Sequence, residues 1–152
     1  MPKQFFIKIF ATFFYIGCVP VAPGSMASLM SVLFYWIFYN DLMIYSIILG
    51  VLTVLGFWAS GEMEDLIKQK DASCIVIDEV VGGMIAFFML PLTPAVLFTG
   101  YFLFRAFDMF KIYPVNKFEE LKGGRGVMMD DVFAGLYTNI TMQIAIRLTG
   151  VA

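Results

Sequence analysis

The feature that most constrains this chain is where its charges fall. Five apolar stretches, 26–39, 42–60, 75–90, 95–107 and 132–149, contain only Asp78, Glu79, Arg105 and Arg147 as charged residues. All other charge except Asp41 lies near the N-terminus, at Lys3 and Lys8, or in the connections 62–74 and 108–131. A soluble core does not explain this. The chain is 61% hydrophobic and 14% charged, against roughly 45–50% and about 25% in soluble domains. The pattern predicts an all-α, polytopic integral membrane bundle of about five crossing segments, forming a single domain over residues 1–152.

A straight crossing takes about 20 residues, within a range of about 17–25. Stretches 42–60 and 132–149 meet this alone. The others must extend into their flanks or sit where the bilayer thins. The N-terminal stretch 5–18 is interrupted by Lys8 and reads as an interfacial or re-entrant helix, with a crossing left open. It lacks a small-x-small cleavage site and is expected to be retained. Asn40-Asp41 and Pro91-Leu92-Thr93-Pro94 are tight breaks without Lys or Arg. If all five stretches cross, Lys3, Lys8, Lys68, Lys70, Lys111, Lys117, Lys122 and Arg125 fall on one side, which the positive-inside rule makes cytoplasmic.

Several function classes drop out. A net charge of −2 offers no footprint for nucleic acid. The absence of histidine removes imidazole catalysis and His-ligated metal, leaving oxygen donors for a hard cation such as Mg²⁺ or Mn²⁺. Cys18 and Cys74 belong to no CxxC pattern and read as free thiols.

Three clusters carry possible chemistry, and the topology brings them to one membrane face. Pro20-Val21-Ala22-Pro23-Gly24-Ser25 forms an irregular turn that places Ser25 at a helix start, where free N–H groups suit a phosphate or simply an entry turn. Asp78 and Glu79 sit inside an apolar stretch, where ionised carboxylates need a partner or a cation; Gly82 and Gly83 behind them admit a neighbouring helix. Arg105, Asp108 and Lys111 recur at a spacing of three and share a helix face, either as a salt-bridged rung or as phosphate binders around a metal ligand. Gly123-Gly124-Arg125-Gly126 reads as an anion-binding loop ahead of Asp130 and Asp131, which open the last segment.

Taken in order, these motifs resemble the phosphatidylglycerophosphatase A family, from about Tyr15 to about Tyr137. The resemblance rests on the Pro20–Ser25 turn; on Asp78, Glu79 and Gly82; on Phe104-Arg105-Ala106-Phe107-Asp108 with Lys111; and on Gly123, Gly124, Gly126, Asp130, Asp131, Ala134 and Gly135. The chain departs from the family pattern at Ala27, Ala72 and Ile112. The resemblance implies a Mg²⁺-dependent phosphoric monoester hydrolase of the bacterial inner membrane, whose partners are the bilayer and its substrate phosphatidylglycerophosphate. It implies removal of the terminal phosphate to leave phosphatidylglycerol.

Together, residues and resemblance assign Asp78, Glu79, Asp108, Asp130 and Asp131 as ligands to one or two Mg²⁺ ions. Ser25, Arg105, Lys111 and Arg125 hold the phosphate, and Asp131 or Glu79 serves as base. Metal-assisted water attack is favoured over an aspartyl phospho-enzyme, because the Asp-x-Asp-x-Thr/Val signature is absent. The rival classes are a small membrane cation transporter using the same acids, a headgroup transferase, which lacks its Asp-x-x-Asp-Gly signature here, and a structural subunit.

Overall fold

A computed structural model describes residues 2–70, 72–110, 113 and 123–150. Among them the chain is all-helical: α1 (Pro2–Ala11), α2 (Pro23–Phe38), α3 (Leu42–Ile67), α4 (Ile77–Phe87), α5 (Pro94–Phe110) and α6 (Gly124–Thr149), with a 3₁₀ turn at Ile16–Cys18. The expected breaks hold. Asp41 caps α3 by accepting the Ile44 N–H at 3.0 Å, and Thr93 Oγ1 accepts the Val96 N–H at 3.3 Å where α5 opens.

The five apolar stretches map onto α2–α6, but their lengths differ from expectation. Among the described residues, only α3 is both long and apolar enough to cross a membrane. It extends past the apolar run to take in Glu62, Glu64 and Asp65. The N-terminal stretch becomes α1, ten residues long, or about 15 Å at 1.5 Å per residue. It packs on α3, where Lys3 pairs with Glu62 at 2.9 Å.

α4 departs most. It has 11 residues, about 16 Å, roughly half the ~30 Å hydrocarbon core of a bilayer. It is the centre of the bundle, packed against α2, α3, α5 and α6, with Ile77, Val80, Val81, Met84 and Phe87 buried. A helix that ends inside a protein must have its last carbonyls satisfied by something other than its own backbone. Here side chains from two neighbours do so. Tyr45 donates to the Met84 carbonyl at 2.7 Å, while Tyr35 donates to the Leu90 carbonyl just beyond the helix. Asn139 donates to the carbonyls of Ala86 and Phe88 at 3.1 and 2.7 Å.

Small residues set the helix spacing around α4. A Cβ added to Gly82 would stand 2.5 Å from the Asp131 carbonyl oxygen, and one added to Gly135 would overlap the Gly82 carbonyl. The close approach expected from Gly82 and Gly83 is therefore realised, with α6 against Gly82 and Ser31 of α2 against Gly83. Gly123-Gly124-Arg125-Gly126 differs from the expected loop. Only Gly123, at φ 70°, lies outside the helix, and α6 starts at Gly124. Gly124 is pressed against the Phe57 carbonyl and Ser60 of α3, so this glycine serves packing rather than anion capture. Asp130 and Asp131 consequently sit two turns into α6 rather than at its opening. Both cysteines are free, and burial, with the nearby Cys18 next in effect, pushes the Cys74 thiol up.

Candidate active site: a buried carboxylate cavity

Three helices deliver acids to one cavity of about 370 Å³. α4 contributes Asp78 and Glu79 from its first turn, α5 contributes Arg105 and Asp108, and α6 contributes Asp130 and Asp131. The first turn of α2, from Ala22 to Ser25, and the 72–76 connection, through Ser73 and Ile75, close the rim. The α4–α6 glycine crossing brings Asp78 to Asp131. Gly24 lies against the Glu79 carboxylate, and a side chain at position 24 would require that carboxylate tip to shift.

One carboxylate oxygen from each of Asp78, Glu79 and Asp131 falls within 4.8 Å of the others. Asp78 and Asp131 are 5% and 3% exposed. Asp78 Oδ1, Glu79 Oε2 and Asp131 Oδ1 are buried without a hydrogen-bond partner. Buried ionised oxygens without a donor are strongly disfavoured unless a cation or proton answers them. Each of Asp78, Glu79 and Asp131 offers only oxygen, so the donor set fits a hard divalent cation. Asp130 accepts the Asp131 N–H at 3.1 Å.

Arg105 donates to Asp108 Oδ2 at 2.7 Å as a partly buried pair. This is the rung expected from the three-residue spacing, and both members line the acid cavity. Lys111, expected on the same face, lies outside the described residues. Ser25 reaches the cavity rim as the third residue of α2, following Ala22 at φ 47° in the cap position. Arg125 is not brought to the cluster. It is exposed and lines a separate cavity with Phe57, Gly124 and Met129, because helix α6 begins before it and turns it toward α3. Sequence reasoning passed over Ser73 at the rim, the seat that Gly24 gives Glu79, and Asn139. The glycine's place in the Pro-Gly turn was the available signal for Gly24; no periodicity marks the other two.

Among the described residues, an all-helical bundle whose cavity gathers five carboxylates and one guanidinium defines a class of helical proteins built around an acidic centre that fits a cation. The family model described as "PgpA: Phosphatidylglycerophosphatase A" matches residues 9–146, and the chain belongs to that family. It is 29% identical to phosphatidylglycerophosphatase A of Escherichia coli K12 over 79% of this chain and 72% of that protein. It is 31% identical to the Haemophilus influenzae protein of the same name, over 90% and 86%. It is 35% identical to a putative phosphatidylinositol-3-phosphatase of Bacteroides thetaiotaomicron, over 93% and 94%. No solved structure matches the chain.

Proposed function

We propose that the chain hydrolyses the terminal phosphomonoester of phosphatidylglycerophosphate, giving phosphatidylglycerol and phosphate, with Mg²⁺ as its cation. The observation that carries this reading is the convergence of three unpartnered carboxylate oxygens, from Asp78, Glu79 and Asp131, beside the Arg105 guanidinium. Family membership and the names of the Escherichia and Haemophilus relatives support the substrate.

In this reading Asp78, Glu79 and Asp131 hold the cation, with Asp108 and Asp130 completing the acid wall. Bound there, Mg²⁺ would neutralise phosphate charge and lower the pKa of water. Arg105 binds the phosphate oxygens, and Asp108 fixes its guanidinium through the 2.7 Å pair. Ser25 and the free N–H groups of the first α2 turn face the same phosphate. Asp131 or Glu79 accepts one proton as water attacks phosphorus; the P–O bond to the headgroup breaks, and that proton passes to the departing alkoxide oxygen, which leaves as the alcohol. Gathering the acids into one cavity, rather than stringing them along the bundle, favours hydrolysis over cation transport. The one-sided Lys and Arg pattern supports a multi-pass inner-membrane protein, embedded as one domain, with this cavity facing the cytoplasm. α4 would complete its traverse through the 88–93 segment rather than as a full-length helix.

The name of the Bacteroides relative favours a second headgroup, phosphatidylinositol 3-phosphate. Phosphate release from a panel of phosphatidylglycerophosphate, phosphatidylinositol 3-phosphate and phosphatidic acid tests both. Release from the first, abolished by Asp78→Asn and Asp131→Asn, is the expected result. Release from none of them, or undiminished turnover in both variants, sinks the hydrolase.

A further inference from the structure

The acid cavity accounts for a headgroup but not for the rest of a lipid. A second cavity, of about 510 Å³, runs between α2 and α5. Leu29 and Val32 form one wall; Pro94, Leu97, Phe98 and Tyr101 form the other. Its lining carries no charge. Phe98 is 69% exposed and Leu29 46% exposed, so the groove opens to the outside of the bundle. Exposed apolar side chains occur elsewhere, for instance Val51 and Val54 on α3, so exposure alone selects nothing.

What singles this groove out is its continuity with the acid cavity. Tyr101 lines the groove and donates its hydroxyl to the Ser25 carbonyl at 3.3 Å, while Ser25 lines the acid cavity. Helical register repeats the relationship on both walls. Leu97, Tyr101 and Arg105 follow at i, i+4 and i+8 along α5, and Ser25, Leu29 and Val32 at i, i+4 and i+7 along α2. Each wall therefore passes along one face from apolar groove to polar cavity, with Tyr101 at the threshold. From Pro94 to Arg105 the helix rises about 16 Å, half of a ~30 Å hydrocarbon core and so the depth of one leaflet.

From this continuity we infer that the α2–α5 groove holds one acyl chain of the lipid phosphomonoester while its phosphate lies in the carboxylate cavity. The inference rests on the hydrolase reading for its headgroup and adds a chain-binding site with a defined entrance. Substrate enters sideways from the leaflet between Leu29 and Phe98, and Tyr101 marks the boundary between chain and headgroup.

Two measurements on the full chain in nanodiscs test it. In the first, phosphatidylglycerophosphate carrying a photoreactive diazirine on one acyl chain is compared with phosphatidylcholine carrying the same chain. The phosphomonoester probe should label peptides containing residues 29–32 and 97–102 at least fivefold more than the phosphatidylcholine probe. Equal labelling by the two probes, or labelling of Val51 and Val54 as strongly as the groove, overturns the inference. In the second, Leu29→Trp and Val32→Trp fill the groove. Both should raise KM for the long-chain substrate about tenfold and leave kcat/KM for the deacylated headgroup phosphate unchanged; an equal loss on both substrates overturns the groove. Phosphate release from neither substrate by the unsubstituted protein would instead sink the hydrolase, and the labelling comparison would still decide the groove.

Discussion

Gly82 of α4 backs directly onto Asp131 of α6: a methyl group on Gly82 would stand 2.5 Å from the Asp131 carbonyl oxygen. Gly135, one turn further along α6, meets the Gly82 carbonyl in the same way. This backbone contact, rather than any attraction between the acids, sets the separation of Asp78 and Asp131. The carboxylates repel, and the packed glycines hold them together. Gly82→Ala and Gly135→Ala should each lower stability by about 1–3 kcal/mol through overpacking and reduce phosphate release at least tenfold. Gly50→Ala, where an added methyl meets nothing within 4 Å, should be neutral or slightly stabilising, because alanine favours helix. Thermal midpoints in detergent, with phosphate release on the same samples, check both.

The orphaned oxygens imply a trade between function and stability. Asp78→Asn and Asp131→Asn each replace a buried, unpartnered carboxyl group in a crowd of acids by a neutral amide. Both should abolish turnover, by at least a hundredfold, while raising the thermal midpoint in divalent-free buffer. A midpoint that falls in both variants would show that the cluster is satisfied within the protein.

Cation binding to the folded state should be visible without any substrate. Chelation should lower the thermal midpoint and stop phosphate release, and added Mg²⁺ should restore both. Stabilisation should approach about 2.7 kcal/mol at a hundredfold excess over Kd. The Mg²⁺-dependent rise should be lost or much reduced in Asp131→Asn, measured by differential scanning fluorimetry over a Mg²⁺ titration.

The two arginines should separate cleanly. Arg105 pairs with Asp108 inside the cavity, so Arg105→Lys, which loses the planar fork, should raise KM about tenfold. Arg125 is exposed beside Phe57 and Met129, so Arg125→Ala should keep kcat/KM within about twofold. Steady-state kinetics on phosphatidylglycerophosphate measure both.

Asn139 should prove structural. Its side chain satisfies the carbonyls of Ala86 and Phe88 where α4 ends. Asn139→Leu leaves both without that donor and should cost about 1–3 kcal/mol per unsatisfied group. The thermal midpoint should fall while turnover per folded molecule is largely kept, which activity normalised to folded fraction will show.

Sequence alone determined the helical class, the location of the apolar stretches and which acids stand out as candidates, all of which line one cavity. These properties are one-dimensional: charge is excluded from apolar runs because burying it is costly, and Asp78 and Glu79 stand out because they break that rule. The Arg105–Asp108 pair was legible for the same reason, since a spacing of three puts two residues on one helix face. Tertiary structure decided what depends on helix ends and crossings. Gly124 and Gly126 look like a loop in the sequence, yet the close approach of α3 makes this stretch helix and carries Arg125 away from the acids. α4 can stop after 11 residues because Tyr45 and Asn139, remote in the chain, answer carbonyls at its end, and Tyr35 answers that of Leu90 just beyond. Which carboxylates share a cavity was settled by the contact of Gly82 with α6, since residues so far apart in the chain have no spacing rule to relate them.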